Sequence, residues 1–187
     1  RSRGDASLMD AITRATGITD LAHPGNSGSA LSARGFTDST SVMRLYDGTR
    51  QYGGVSVSYP FDTWSVDRIE VLRGPASVIY GDGAIGGVVN VIPKKPTRGA
   101  IRHELQAVVG TDGKQGLAFD SSGAINEMLS YRFDVSGDRS DGWIDRGDSR
   151  NLSVSGAVQL DVSPQLSVTL SHAQGDQHPM RYFGTPR

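Results

Sequence analysis

The sequence predicts an α+β N-terminal domain, a small mixed sheet with short helices, over residues 1–99. Antiparallel strands of a transmembrane β-barrel, incomplete in this chain, follow over 100–187. Three observations carry this. Apolar and polar residues alternate with period 2 over most of the chain beyond residue 100. A glycine-rich stretch, Tyr80 to Gly87, runs into the β-branched segment Val88 to Ile92, interrupted only by Asn90. One short segment near the N-terminus has helical spacing.

That segment is Ser7 to Ile18, with Leu8, Met9, Ile12 and Ala15 near 3.6 spacing, Ser7 as N-cap and Gly17 as stop. Leu21 to Ser32 is rich in Gly, Ser and Asn and reads as loop. Asp47-Gly48, set between Leu45-Tyr46 and Thr49, predicts a hairpin turn with two positive φ angles. Tyr52 to Trp64 is an aromatic loop in which Phe61 and Trp64 are expected to pack inward. Arg50, Gln51 and Tyr52 are expected to be exposed at a loop apex, because Gly53 and Gly54 follow. Asp67 to Ser77 carries Ile69, Val71 and Leu72 among charged residues and breaks at Gly74-Pro75. Val88 to Ile92 reads as a buried strand.

Beyond a composition shift at Thr97 to Ala100, the alternation is regular. Leu129, Tyr131, Phe133, Val135 and Gly137 interleave with Ser130, Arg132, Asp134, Ser136 and Asp138. Similar alternation runs from Leu152 to Val162 and from Leu166 to Ser171, with weaker versions over Ile101 to Val109 and Leu117 to Ile125. Tight connections at Asn126-Glu127 and Ser163-Pro164 contrast with the long polar Ser140 to Arg150, and the chain after Gln174 reads as irregular. Strands of about 9–11 residues, with short turns on one side and long loops on the other, fit an outer-membrane barrel. Five strands cannot close one, and open edges are not tolerated in lipid. The chain therefore reads as a piece of a larger barrel. Arg132, Asp134 and Asp138 share a face that cannot meet lipid, so they are expected to face a wet lumen or to pair with the N-terminal domain.

Composition narrows the function. The chain of 187 residues has a formal net charge of −1, which argues against nucleic-acid binding. It has no cysteine, hence no disulfide framework and no thiolate metal site. No apolar run approaches a membrane helix, and Arg1 to Asp10 contains no signal-peptide core. The four histidines lack metal-ligand spacing, and no serine sits in a nucleophile elbow; no catalytic residue and no metal site are predicted. Gly81-Asp-Gly83-Ala-Ile-Gly86 matches the dinucleotide fingerprint, but a β-branched run follows it where a helix is required.

Arg68-Ile-Glu70, Arg73-Gly74-Pro75, Tyr80-Gly81, Gly86-Gly87-Val-Val-Asn90 and Lys94-Lys95-Pro96 together resemble the end of the plug domain of TonB-dependent outer-membrane receptors. The resemblance implies an Arg-Gly-Phe strand at Arg34 to Phe36, a strand–turn–strand unit around Asp47-Gly48, then a helix at the Arg-Gly-Pro element. On such a helix Arg68, Glu70 and Arg73 could form i,i+3 pairs. It further implies a polar interface between plug and barrel built from Arg68, Glu70, Arg73, Arg132 and Asp134, with Gly74, Pro75, Gly81, Gly86, Gly87 and Asn90 as the plug's signature positions.

The function implied is capture of a ferric siderophore at the bacterial outer membrane and import driven through TonB, with outer-membrane lipid around the barrel. There is no enzymatic activity, resident cofactor or nucleic acid in this reading, and the Fe(III) chelate is cargo. Arg34, Arg50, Gln51, Tyr52, Tyr182 and Phe183 are the ligand-binding candidates, because Arg and Tyr offer donors to anionic, oxygen-rich chelates. No TonB box is evident in Arg1 to Ser7. The same receptor class carrying haem, cobalamin or another chelate is the first alternative. A soluble β-rich binding or adhesion module is the second.

Overall fold

The computed structural model describes residues 8–14, 17–20, 31–33, 42–51, 62–74, 86–142 and 147–178. The described residues divide into two compact units, the first ending at Pro93 and the second beginning at Lys94.

The first unit contains α1 (Leu8–Thr13), β1 (Ile18–Asp20), β2 (Leu31–Ala33), β3 (Val42–Tyr46), β4 (Thr49–Arg50), β5 (Val66–Arg73) and β6 (Gly87–Pro93). β1 and β2 pair antiparallel, and a second sheet has the order β4-β3-β6-β5. β3 and β6 are parallel, whereas β5 runs antiparallel to β6. Both faces of the central pair are covered, as parallel strands require. Val42, Val89 and Val91 face one cluster with Leu8 and Ile12 of α1, Ile18 of β1 and Leu31 of β2. Met43, Leu45 and Val88 form a smaller cluster of their own. Trp64 is buried, as expected for a residue packed under a loop.

The hairpin turn and the buried β6 strand agree with the sequence. Asp47 and Gly48 both have positive φ, 47° and 78°, and the turn joins Tyr46 to its partner Thr49. Residues 75–85 lie outside the described residues, but over Val66–Arg73, where Arg68, Glu70 and Arg73 are expected to share a helix, the chain is strand β5. The reason is a bulge. Register shifts between Val66 and Arg68, so Asp67 is an extra residue and the face alternation slips by one. Val66, Ile69 and Val71 thereby all reach the same core. Their 3-residue spacing at the start imitates a helix, but strand period and bulge together produce it. The loop expected from Leu21 ends early, in β2. β1 and β2 are three residues each, too short to show a period.

The second unit is a meander of β7 (Arg102–Val109), β8 (Gln115–Ala124), β9 (Leu129–Ser140), β10 (Ser149–Ser163) and β11 (Leu166–His178). Each strand pairs antiparallel with the next, in the order β11-β10-β9-β8-β7. β11 continues to His178, beyond the point where the sequence reads as irregular, and His178 still pairs with Arg150. The polarity of the sheet is inverted relative to a water-soluble protein. Val109 is 84% exposed and Leu170 78%, whereas Asp120, Ser130 and Asp134 are buried.

Chain entry into this sheet depends on one glycine. A Cβ on Gly123 would stand 2.5 Å from the Ile101 Cα and 2.8 Å from its backbone nitrogen. Next to it, the Ala124 N–H donates to the Gly99 carbonyl at 2.9 Å. Gly123→Ala should therefore force the backbone apart and cost roughly 1–3 kcal/mol, as overpacking does. Gly156→Ala, whose Cβ would meet nothing closer than the Arg132 carbonyl at 3.7 Å, should be near neutral. Denaturant unfolding of both variants checks the pair, and equal midpoints would refute the steric account.

Candidate functional site

Two polar constellations stand out. In the first unit, Asn90 interrupts the valines of β6 and lies opposite Leu45 on one side and Glu70 on the other. Its Oδ1 accepts from the Gly48 N–H at 3.0 Å, and its Nδ2 donates to Glu70 Oε2 at 3.3 Å. Glu70 in turn accepts from Arg68 Nε at 2.9 Å, and Arg68 also donates to Asp67 at 3.0 Å. Glu70 first, then Asp67, raises the pKa of the exposed Arg68 guanidinium. The chain of bonds thus runs from the hairpin turn through Asn90 and Glu70 to Arg68. Arg68 and Glu70 pair as next-but-one neighbours along a strand, with Glu70 half in the chain of bonds and half exposed.

The second constellation is buried in the second unit. Asp120 of β8 and Asp134 of β9 are direct cross-strand partners. Like charges in that position repel, and two cations resolve the conflict. Lys94 Nζ lies 2.7 Å from Asp120 Oδ2 and 3.5 Å from Asp134 Oδ1. Arg132 donates through Nε to Asp134 Oδ2 at 3.0 Å and through an Nη to Asp120. Each carboxylate therefore touches both cations, and the quartet is neutral. Side-chain exposures are 7% for Lys94, 8% for Asp120, 11% for Arg132 and 5% for Asp134. Ser155 Oγ adds a donor to Asp134 at 3.5 Å.

The segment after Lys94 is held to the same strands. The Thr97 N–H donates to Ser122 Oγ at 3.2 Å, Arg132 reaches the Lys95 carbonyl at 3.5 Å, and Arg98 meets Asp161 of β10 at 2.5 Å. Residues 94–98 are thus bound side by side to β8, β9 and β10. No group of His, Cys, Asp and Glu suited to holding a metal ion occurs among the described residues. His172 and His178 lie on one strand, six residues and about 20 Å apart at the usual rise, so they cannot share an ion. The arrangement fixes chain and charge; it offers no nucleophile or acid–base pair aimed at a cavity.

Among the sequence candidates, Arg132 and Asp134 are brought together, joined by Lys94 and Asp120. Those two partners were not singled out, because only the register of β8 against β9 brings Asp120 opposite Asp134. Arg50 is half-buried in β4 opposite Leu45, not exposed at an apex, because the apex is Asp47-Gly48. Gln51 is exposed, and its N–H donates to the Arg44 carbonyl at 2.9 Å. Arg73 closes β5 opposite Gly87. Gly74 and Gly87 have φ of 96° and 152°, conformations that favour glycine. Gly86 is buried beside Gly87, and a strand rather than a helix follows, so the dinucleotide context is absent. Arg34, Tyr52, Pro75, Gly81, Tyr182 and Phe183 lie outside the described residues, as does the Arg-Gly-Phe strand.

A mixed plug-like sheet followed by an inverted antiparallel meander defines a class of protein, and comparison with known proteins specifies it. Residues 1–88 match the TonB-dependent receptor plug domain family. Those residues thus carry a TonB-dependent receptor plug domain. The chain is 31% identical over 135 residues to the ferrioxamine B receptor of Salmonella typhimurium, an alignment covering 70% of this chain and 19% of the relative. It is 34% identical over 119 residues to the vitamin B12 transporter BtuB of Vibrio vulnificus, covering 62% and 19%. The ferripyoverdine receptor of the Pseudomonas aeruginosa outer membrane, solved with ferripyoverdine bound, superposes with a TM-score of 0.81 at 25% identity, over 95% of this chain and 24% of that one. The chain spans about a fifth of the length of the curated relatives it matches.

The quartet makes a testable demand. Lys94→Met leaves two buried carboxylates facing one guanidinium, and breaking a buried pair in this way costs about 3–5 kcal/mol. Adding Asp120→Asn restores neutrality, so the double variant should be more stable than Lys94→Met alone despite carrying a second substitution. A double-mutant cycle of unfolding free energies measures this, and simple additivity would refute the coupling.

Proposed function

We propose that this chain is the N-terminal part of an outer-membrane receptor that captures a ferric siderophore at the cell surface and imports it with energy delivered through TonB. The observation that carries the reading is the inverted sheet. A face of exposed Leu, Val and Phe over a face with buried Asp, Arg and Lys is the polarity of a barrel wall between lipid and a polar interior. The plug-family match over residues 1–88 supports the receptor class. The names of the relatives, receptors and transporters for ferrioxamine, ferrichrome and pyoverdine, support an iron chelate as cargo and a role other than catalysis.

In this reading the second unit supplies the opening strands of the barrel, and further strands complete it. The tight turns at 125–128 and 164–165 face the periplasm, and the connections at 110–114 and 141–148 face outward. Arg50 and Gln51, beside the hairpin, and Arg34, Tyr52, Tyr182 and Phe183 form the ligand-binding set, with guanidinium and phenol donors meeting chelate oxygens. A ligand drives transport only by binding one state of the plug better than another. The vitamin B12 transporter among the relatives keeps cobalamin as the second cargo to test.

Titration of the full-length protein in detergent, followed by tryptophan fluorescence, tests this with ferric siderophores, haem and cobalamin. Saturable quenching by one ferric siderophore is expected. Arg50→Ala should weaken that affinity about tenfold, the value of one charge-assisted hydrogen bond. A response to cobalamin or haem alone would replace the cargo. Protein that stays soluble without detergent and responds to none would overturn the receptor reading.

A further inference from the structure

The segment that leads from the first unit into the second is built against bending. It reads Pro93-Lys94-Lys95-Pro96-Thr97-Arg98. Each proline fixes its own φ and restricts the residue before it. Flexible connectors are rich in Gly and Ser, and the first glycine here is Gly99. The segment has no spare length either. Pro93 is still paired with Val66 in the sheet of the first unit. Lys94, one Cα step or about 3.8 Å further on, is already bound to strands of the second. The last paired residue of one unit and the first anchored residue of the other are therefore consecutive.

From Lys94 onward the bonds come at nearly every residue, and from three strands. Lys94 Nζ lies between Asp120 of β8 and Asp134 of β9. The Lys95 carbonyl accepts from Arg132 of β9 at 3.5 Å. Thr97 meets Ser122 of β8 twice: its N–H donates to Ser122 Oγ at 3.2 Å, and the two hydroxyls are 3.1 Å apart. Ser122 Oγ gives its own proton to the Tyr131 carbonyl at 3.0 Å, so Thr97 is the donor in the hydroxyl pair and both Ser122 lone pairs are used. Arg98 reaches Asp161 of β10 at 2.5 Å, and the Gly99 carbonyl accepts from the Ala124 N–H at 2.9 Å. The Lys94 side chain and Ser122 are buried. Withdrawing Lys94 would leave two buried carboxylates facing one guanidinium, and uncompensated buried charge is strongly unfavourable. A pull arriving through Pro93 meets that contact first, so the segment cannot be peeled from its weak end.

Resting on the receptor reading, we propose that residues 94–99 are a permanent bracket, which stays fastened to β8, β9 and β10 throughout uptake, so that any rearrangement of the first unit that lets a chelate pass takes place N-terminal to Lys94. The consequence for the first unit is specific. Because the connection has no slack, that unit cannot draw away intact. Its other strands must part from β6, or β6 itself must come apart, while Lys94 keeps its two carboxylates.

The absence of cysteine in this chain makes the test direct. Thr97→Cys/Ser122→Cys replaces two hydroxyls that are 3.1 Å apart, an approach that suits a disulfide. The full-length variant is expressed in cells lacking other receptors for the probes and oxidised with copper phenanthroline, and closure of the disulfide is checked by mass spectrometry. Uptake of radioiron-labelled ferrioxamine B, ferrichrome and enterobactin is then compared before and after reduction with dithiothreitol. Uptake by the oxidised protein should equal that by the reduced protein. Uptake abolished by oxidation and regained on reduction would overturn the bracket while leaving the receptor intact. Ser122→Cys alone gives a second reading that needs no disulfide. Its buried thiol should stay unreactive toward a membrane-impermeant maleimide during uptake, whereas Arg98→Cys, at an exposed position, should react. Labelling of Ser122→Cys that appears only while uptake runs would also overturn the bracket. No uptake of any probe by the unsubstituted protein would instead overturn the siderophore reading on which the proposal rests.

Discussion

Two carboxylates placed opposite each other across β8 and β9 are the constraint on which the second unit depends. Asp120 and Asp134 could not both remain charged and buried without cations between them, and one of the two cations comes from outside the sheet. Lys94 belongs to the segment that leaves β6, so the sheet's electrostatics require that segment to lie in one place. Arg132 supplies the other charge and reaches the Lys95 carbonyl as well. Once Lys94 is fixed, Thr97 and Arg98 fall onto Ser122 and Asp161, and the chain enters β7 over Gly123. A buried charge network is a poor source of net stability. Its worth here is positional, because Lys94 ties residues 94–98 to both carboxylates.

The first unit is organised by different means. Its central strands are buried largely by aliphatic side chains, with Arg44 on β3 and Asn90 on β6 as polar exceptions, and Asn90 is bonded on both sides. The side chain takes the Gly48 N–H on one side and gives to Glu70 on the other. The hairpin turn, the middle strand and the outer strand are thereby keyed to one another through a single amide. An ionised aspartate at that position could accept from Gly48 but has no proton to give to Glu70.

Much of this was legible in the sequence, for identifiable reasons. The Asp47-Gly48 turn and the Val88 to Ile92 strand are local signals, and local structure obeyed them. The alternation of β9 and β10 needed no tertiary information. The failures are equally specific. The helix expected over β5 came with the resemblance, and no local signal marks the bulge at Asp67 that brings Val66, Ile69 and Val71 to one core. β11 lost its apolar face at His172, and a strand with polar residues on both faces is indistinguishable from loop by periodicity. Lys94 and Asp120 are 26 residues apart, and their meeting depends on register, which no single stretch encodes. The ligand-binding candidates rested on resemblance, and of them only Arg50 and Gln51 fall among the described residues.

The inverted polarity of the second unit has a consequence for how the protein matures. The first unit owns a core, from Leu8 and Ile12 to Val89 and Val91, and can gain stability by collapsing in water. The meander cannot do so in the same way, since its most apolar surface is the one it displays. In an aqueous compartment those strands have exposed edges and an adhesive face, the two features that drive aggregation. The two halves of this chain therefore differ in what water offers them: the first gains by hiding its apolar side chains, and the second keeps its own on display.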